Sequence, residues 1–380
     1  MMTKREFVQT CVLGGCGLLL TKGRRAGDIA IPIFGRGTVP GGPTRWSKEA
    51  LFYKSTSDGV QCLKCPNFCE LKKGEAGICR SRVNYEGKLY SIAYGNPCAV
   101  HIDPIEKKPL FHFLPTTRAF SIAAAGCNLR CLNCQNWQIS QFSPQETDNI
   151  DLMPDRVVAE SAKSRCASIA YTYSEPTTFY EYALDTARLA RESGIRNVLK
   201  SNGYINEEPL RLLSKVLDAA NIDLKSFNDD TYWRLAQARL EPVLKTLQVL
   251  REEGVWLEIT NLVVPSWTDD LDTIKAMCEW LCAHGLADAP LHFTRFVPLY
   301  KLTHLPATPV SVLEKARDIA LKAGIQYAYV GNVPGHAAEN TYCHACGTMI
   351  LERRGFTILK NLIRDGACAK CRAKIPGVWS

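Results

Sequence analysis

Between about residues 115 and 335 the chain alternates two patterns. Short runs of β-branched, aromatic and small apolar residues at 119–125, 168–173, 197–201, 221–225, 256–264, 291–297 and 327–330 read as strands. Between them lie stretches whose apolar positions recur every three to four residues, at 155–166, 177–193, 207–219, 229–253, 270–284 and 311–323, and these predict amphipathic helices. Gly194, Gly254, Gly285 and Gly324 stand where helices should stop. Ser311 followed by Glu314 reads as a capping box opening the last helix. Strand–helix alternation implies a parallel sheet. Six βα units in roughly 220 residues are fewer than the eight that close a full barrel, so the expectation is an α/β fold built as a partial (βα)6 TIM-type barrel.

Small cysteine-rich modules flank this core at both ends. The chain divides into a leader-like segment (1–45), an N-terminal cysteine module (58–112), the barrel (113–335) and a C-terminal zinc-ribbon-like module (340–380). The first segment carries Lys4-Arg5-Glu6-Phe7, a short apolar stretch to Leu20, and then Lys22, Arg24 and Arg25. It looks like a weakened twin-arginine leader; the competing reading is a frayed N-terminal helix.

Composition narrows the class. A chain of 380 residues with 46% hydrophobic and 22% charged residues is that of an ordinary globular protein. No apolar run reaches the roughly 18 residues needed to cross a bilayer. The net charge of +8 is scattered and not interleaved with aromatics, so no nucleic-acid partner is expected. The 17 cysteines are the unusual count. The chain is too long for a disulfide scaffold, and short CxxC gaps read first as metal ligands.

Three sets stand out. Cys343, Cys346, Cys368 and Cys371 form two CxxC knuckles separated by 21 residues. That suits a tetrahedral zinc site, with an auxiliary iron–sulfur cluster or mononuclear iron as the alternatives. Cys62, Cys65, Cys69 and Cys79 are less regular and suit either zinc or a second [4Fe–4S] cluster. Cys127, Cys131 and Cys134, in GCNLRCLNCQNW, follow the first barrel strand and stop at three. A [4Fe–4S] cube normally takes four thiolates, so three leave one iron open, as catalytic metal sites do. The alternative is a structural loop whose fourth ligand lies elsewhere. Cys98, Cys166, Cys278 and Cys282 read as small buried apolar residues.

CxxxCxxC at the end of the first strand of a βα array resembles the signature of the radical S-adenosylmethionine superfamily. Later strand ends follow suit: Glu175-Pro176, Asn202-Gly203, Asp223-Leu224-Lys225 and Asn261 stand in order at one rim. The two glycines that usually precede Glu-Pro are absent. Asn133 replaces the usual aromatic, which transfers the expected adenine contact to Trp137. Further segments, His101-x-Asp103-Pro104, Cys134-Gln135-Asn136-Trp137, His292-Phe293-x-Arg295-Phe296, Pro298-x-Tyr300-Lys301 and Gly331-Asn332-Val333-Pro334-Gly335-His336, are similar to the radical enzyme of the AmmeMemoRadiSam system, a group also described as pyruvate formate-lyase activating enzyme-like.

The resemblance implies a [4Fe–4S] cluster on Cys127, Cys131 and Cys134. It implies S-adenosylmethionine held by Trp137, Glu175, Asn202, Asp223, Lys225 and Asn261, and chemistry in which the reduced cluster cleaves S-adenosylmethionine to a 5′-deoxyadenosyl radical that abstracts hydrogen. Arg295, whose fork suits an anionic group, and Tyr300 are the candidate catalytic residues. A low-potential donor of flavodoxin or ferredoxin type is implied. The substrate is a metabolite or a protein, such as a Memo-type or AMMECR-type partner or a glycyl radical enzyme. These supplies favour the cytoplasm as the site of action, while the twin-arginine-like leader leaves export or membrane tethering open. The competing function is a non-catalytic iron–sulfur or zinc protein acting as electron carrier or scaffold.

Overall fold

The computed structural model describes residues 41–380; the twin-arginine-like motif and the apolar stretch after it lie outside them. Among the described residues the largest element is an eight-stranded sheet. Its strands are β1 (Ala99–Pro104), β2 (Arg118–Ala123), β3 (Ser168–Tyr171), β4 (Arg196–Ser201), β5 (Ala219–Asp223), β6 (Trp256–Val263), β7 (Leu291–Arg295) and β8 (Ala328–Gly331). They run in sequence order across the sheet, and β2 to β8 are all parallel. The two edge strands do not pair with each other, so the barrel is open. Six βα units and a closing strand match the partial barrel expected from the pattern.

β1 is the addition. It runs antiparallel to β2, with Ala99 opposite Ala123 and Pro104 opposite Arg118. Its sequence, AVHIDP, has no run of apolar residues, because at the sheet edge only one neighbour has to be satisfied. The inner strands read differently. All four residues of β3 are buried, as expected for strands covered on both faces.

Helices α1 (Pro154–Lys163), α2 (Tyr180–Glu192), α3 (Glu207–Ser214), α4 (Asp229–Ala236), α5 (Leu240–Glu252), α6 (Leu271–Ala283) and α7 (Val310–Ala323) connect the strands. The single helix expected over 229–253 is two. Gln237 takes a left-handed φ of 53°, and Asn228 separately caps α4 by accepting from Thr231 N at 2.9 Å. The capping box at Ser311 does not form. α7 begins at Val310 behind Pro309 with no side-chain cap, and Glu314 instead meets His336 Nε2 at 3.1 Å. A proline at the helix entrance sets the start without a hydroxyl acceptor. Gly194, Gly254, Gly285 and Gly324 all have positive φ just past helix ends, the conformation that costs glycine least.

The two small modules meet opposite ends of the barrel. The C-terminal strands Thr341–Tyr342, Met349–Arg354 and Thr357–Asn361 form a small sheet. They share a core with Phe111, Tyr327 and Tyr329, which lie at the amino-terminal ends of the barrel strands. Buried Arg353 donates from Nη2 to Phe111 O at 2.8 Å. Glu258, fully buried inside the same end, accepts from His112 N at 2.7 Å and faces His292 Nε2 at 2.7 Å. His112 itself is spent structurally, between Tyr329 Oη at 2.6 Å and Pro376 O at 2.7 Å. The N-terminal module meets the other end, where the strands finish. Asn67 Nδ2 donates to Asn128 O at 2.8 Å, and Asn206 N donates to Lys64 O at 2.9 Å.

Candidate active site

The three-cysteine loop leaves β2 through buried Ala124 and Ala125 and turns at Gly126, whose φ of 106° excludes side chains. A Cβ there would also stand 2.4 Å from Cys79 O. The loop is pinned from three sides. Arg130 N and Leu132 N donate to Ala236 O and Leu235 O at the end of α4, each at 2.9 Å. Lys301 N donates to Leu132 O at 3.1 Å, and Asn136 Nδ2 donates to Tyr173 O at 2.6 Å. These hydrogen bonds to neighbouring elements fix the path of the loop that carries the three thiols.

Cys127 and Cys131 face groups from different strand ends, whereas Cys134 faces mainly the turn that follows it. Cys127 Sγ receives Leu129 N at 3.4 Å and Asn202 Nδ2 at 3.7 Å. Burial pushes its thiol well above the usual range, and the nearby Glu175 carboxylate adds to the push. Burial also raises Cys131, to about 11, against the pull of Lys225. Cys134 is raised by burial against hydrogen bonds from Asn136, Ser140 and Gln141.

Glu175 caps the short turn Pro176–Phe179. Its Oε1 accepts from Thr177 N (3.0 Å), Thr177 Oγ1 (2.7 Å) and Ser201 Oγ (2.8 Å). Its Oε2 accepts from Asn202 N at 2.8 Å and retains accepting capacity. The side chain is buried and makes no ion pair among the described residues; burial raises its pKa despite four donors. Asn202 thus touches both Cys127 and Glu175, and its Nδ2 also donates to Asn128 Oδ1 at 2.9 Å.

Asp223, at the end of β5, lies between two lysines. It pairs with Lys200 and, at 3.0 Å, with Lys225. Burial pushes its carboxyl up, but the two ammonium groups outweigh burial and bring it to about 2. Asn261 Nδ2 donates to Leu224 O at 2.8 Å, while its buried Oδ1 has no partner among the described residues. The Oδ1 of Asn133 is buried and unpartnered in the same way. Trp137 stacks on Tyr300 at 5.4 Å and 15°, so one indole face is already covered. Arg295 Nε donates to Thr308 O at 2.9 Å, and its guanidinium pairs with no carboxylate among the described residues.

Sequence reasoning missed Lys200, and it took Asp103, Lys107 and Lys108 only as part of the motif His101-x-Asp103-Pro104-Ile105-Glu106-Lys107-Lys108-Pro109-Leu110, without a site role. Lys200 Nζ bonds Asn221 Oδ1 at 2.7 Å as well as Asp223. Asp103 pairs with Lys108 at 2.6 Å and Lys107 at 2.9 Å and accepts from Tyr173 Oη. These cations and the phenol outweigh burial and hold its carboxyl well below the usual range. A signal existed: Asn221 and Asp223 alternate inside an apolar strand, which turns both toward the barrel interior.

The donor set fits the groups the resemblance implies. Among the described residues, three thiols, a buried carboxylate that makes no ion pair and two buried amide oxygens without hydrogen-bond partners lie in the loops and strand ends at the carboxyl side of the barrel, and buried polar groups normally find partners. In the C-terminal module, Cys343, Cys346, Cys368 and Cys371 place their Sγ atoms within 4.8 Å of one another. Cys343 and Cys371 are 3.6 Å apart, and Cys346 and Cys368 are 3.8 Å apart. Four thiolates on one tetrahedral zinc at about 2.3 Å stand about 3.8 Å apart.

An open parallel barrel with a three-thiol loop at the carboxyl end of its first parallel strand defines a class of cluster-dependent enzymes. The chain belongs to the radical SAM superfamily, whose sequence profile matches residues 121–281. Uncharacterized protein MJ0808 of Methanocaldococcus jannaschii is 46% identical over 331 residues, spanning 86% of this chain and 98% of that one. Pyruvate formate-lyase 1-activating enzyme of Escherichia coli is 27% identical over 161 residues, 41% of this chain and 65% of that enzyme. A domain of pyruvate-formate lyase-activating enzyme from Bacteroides vulgatus superposes with a TM-score of 0.37 at 17% identity, covering 43% of this chain and 99% of that domain.

Proposed function

We propose that this chain binds a [4Fe–4S] cluster through Cys127, Cys131 and Cys134 and S-adenosylmethionine beside it, and uses them to abstract hydrogen from a protein substrate. The observation that carries the reading is the bridge made by Asn202. Its side chain reaches Cys127 Sγ, and its backbone N–H reaches Glu175 Oε2. A carboxylate with spare accepting capacity is therefore held next to a thiol set that is one ligand short. When bound, the cluster and cofactor supply one electron and a carbon-centred radical.

The chain's own residues orient and shield. Glu175 Oε2 receives the cofactor's ammonium group, which gives the buried carboxylate the cation it lacks. Asn133 Oδ1 and Asn261 Oδ1 are acceptors for the adenine amino group and ribose hydroxyls. Trp137, backed by Tyr300, is the aromatic proposed to cover the base. Asp223, between Lys200 and Lys225, keeps the wall beside Cys131 and Cys134 polar. Arg295, free of carboxylates, and Tyr300 face the substrate. A protein substrate is supported by relatives whose names describe the activation of an enzyme. The AmmeMemoRadiSam partners, Memo-type and AMMECR-type proteins, are the first candidates to try, with a low-potential flavodoxin or ferredoxin as donor and the cytoplasm as the site of action. No described helix is long and apolar enough to cross a membrane. Zinc in the C-terminal four-cysteine set completes the proposed metal content.

Anaerobic reconstitution followed by dithionite and S-adenosylmethionine should yield 5′-deoxyadenosine and methionine. Cys131→Ala should lose both the cluster absorbance and the products. A verified cluster that persistently yields neither product overturns the reading.

A further inference from the structure

We propose that Cys62, Cys65, Cys69 and Cys79 hold a second [4Fe–4S] cluster, which delivers the electron to the catalytic one. All four line a single pocket. They do not close as the C-terminal set does: among the described residues no other group of three such ligands brings its donor atoms within 4.8 Å. Four thiols around one cavity, yet too far apart for one tetrahedral ion, fit a larger group. Gly77 lines the same cavity, and a Cβ there would stand 3.7 Å from both Cys69 Sγ and Cys79 Sγ. The missing side chain leaves space between two of the ligands.

Charge supports an anionic occupant. Lys64 lines the cavity at 2% exposure, and its Nζ has no hydrogen-bond partner among the described residues; it lies 5.4 Å from the Tyr180 ring. Arg82, on the same wall, is matched by Glu181. The pocket therefore holds one buried positive charge more than its side chains neutralise, and burying an unpaired charge is costly. Four thiolates on a cluster carry net negative charge and give Lys64 its counterion.

Position supports the relay. Asn128, one residue after Cys127, and Thr177 and Thr178, from the turn capped by Glu175, form the far wall of the cavity. Ser81 Oγ bridges Cys79 Sγ at 3.4 Å and Thr178 O at 3.0 Å. Cys79 O lies against Gly126. One electron from a low-potential iron–sulfur or flavin protein reduces this cluster; the same electron then reduces the catalytic cluster, which reoxidises the first. With all four irons closed by thiolate, this cluster has no open position for S-adenosylmethionine. The relay rests on the function proposed above, whereas the presence of the cluster does not.

The full chain is reconstituted anaerobically, and iron, zinc and sulfide are measured with Mössbauer spectra. Wild type should hold about 8 irons per chain in cubes, and both Cys127→Ala/Cys131→Ala/Cys134→Ala and Cys65→Ala/Cys69→Ala should hold about 4. Lys64→Met should shift the reduction potential of only the cluster left in the triple variant, to more negative values. A triple variant with no cube, or with zinc in its place, overturns the second cluster whether or not the wild type cleaves S-adenosylmethionine. For the relay, Cys65→Ala/Cys69→Ala should lower the ratio of flavodoxin-driven to dithionite-driven cleavage at least tenfold; an unchanged ratio overturns it.

Discussion

Glu181→Gln is the most direct probe of how the N-terminal module is held at the active-site rim. Glu181 is on α2, and Arg82 is on the module strand Arg82–Tyr85. Arg82 Nη2 reaches both carboxylate oxygens, at 2.5 and 2.6 Å, and Leu51 N donates to Oε1 at 2.9 Å. Both side chains are 2% exposed. Burial pushes the Glu181 carboxyl up, but Arg82 and Lys64 outweigh it and hold the pKa below normal. Glutamine keeps the shape and one acceptor while removing the charge, leaving Arg82 buried and unpaired beside Lys64. Removing one partner of a buried pair costs about 3–5 kcal/mol. At about 1.4 kcal/mol per decade, module amides should lose roughly a hundredfold to a few thousandfold of hydrogen-exchange protection. Peptides spanning the module strands report this, and peptides from β6 serve as the internal control. Arg82→Met/Glu181→Leu replaces the pair with apolar groups of similar size and should recover protection to within about tenfold of wild type. Loss of less than about tenfold in Glu181→Gln, or a double variant worse than the single, would refute the argument that this pair holds the module.

Three other outcomes are expected. Because the folded pKa of Glu181 is depressed, its contribution is complete above about pH 4.3 and is lost as pH falls through the lower folded value; module protection, corrected for intrinsic exchange, should hold from pH 7 to 5 and drop below about 4, and a flat profile through acid would contradict it. Gly126→Ala meets both a φ of 106° and a backbone oxygen at 2.4 Å, so it should cost at least about 1–3 kcal/mol and lower iron incorporation, as read by melting and iron analysis; normal iron and stability would show that the loop has more room than its contacts indicate. Cys368→Ser should remove about one zinc per chain and destabilise the sheet holding Ile350 and Leu351 while leaving the iron content intact, with unchanged zinc content as the contrary result.

Much of the site was legible because its chemistry is carried by short stretches. Cys127, Cys131 and Cys134 are close in sequence, and Glu175, Asn202, Asp223 and Asn261 each end a strand whose apolar run announces itself. Parallel βα order then puts all the strand ends on one rim. The Asp103 cluster was not legible, because it joins an edge strand without an apolar run to Tyr173, seventy residues later. Lys200 was not singled out because its partners, Asn221 and Asp223, lie more than twenty residues on and meet it only where β4 pairs with β5.

The sequence by itself determined the alternation of elements, the count of parallel strands and the three-thiol loop, since each depends on residues near one another in the chain. Only the tertiary structure decided which cysteine module lies where. Both are short, cysteine-rich and similar in pattern, and nothing local distinguishes their partners. The C-terminal set packs under the barrel through Phe111, Tyr327 and Tyr329, its sulfurs closed around a space for one ion. The N-terminal set lines a pocket that Asn128 of the three-cysteine loop also lines, and its sulfurs do not close to within 4.8 Å of one another. Long-range packing and the spacing of sulfur atoms set that difference, and neither is written in the interval between two cysteines.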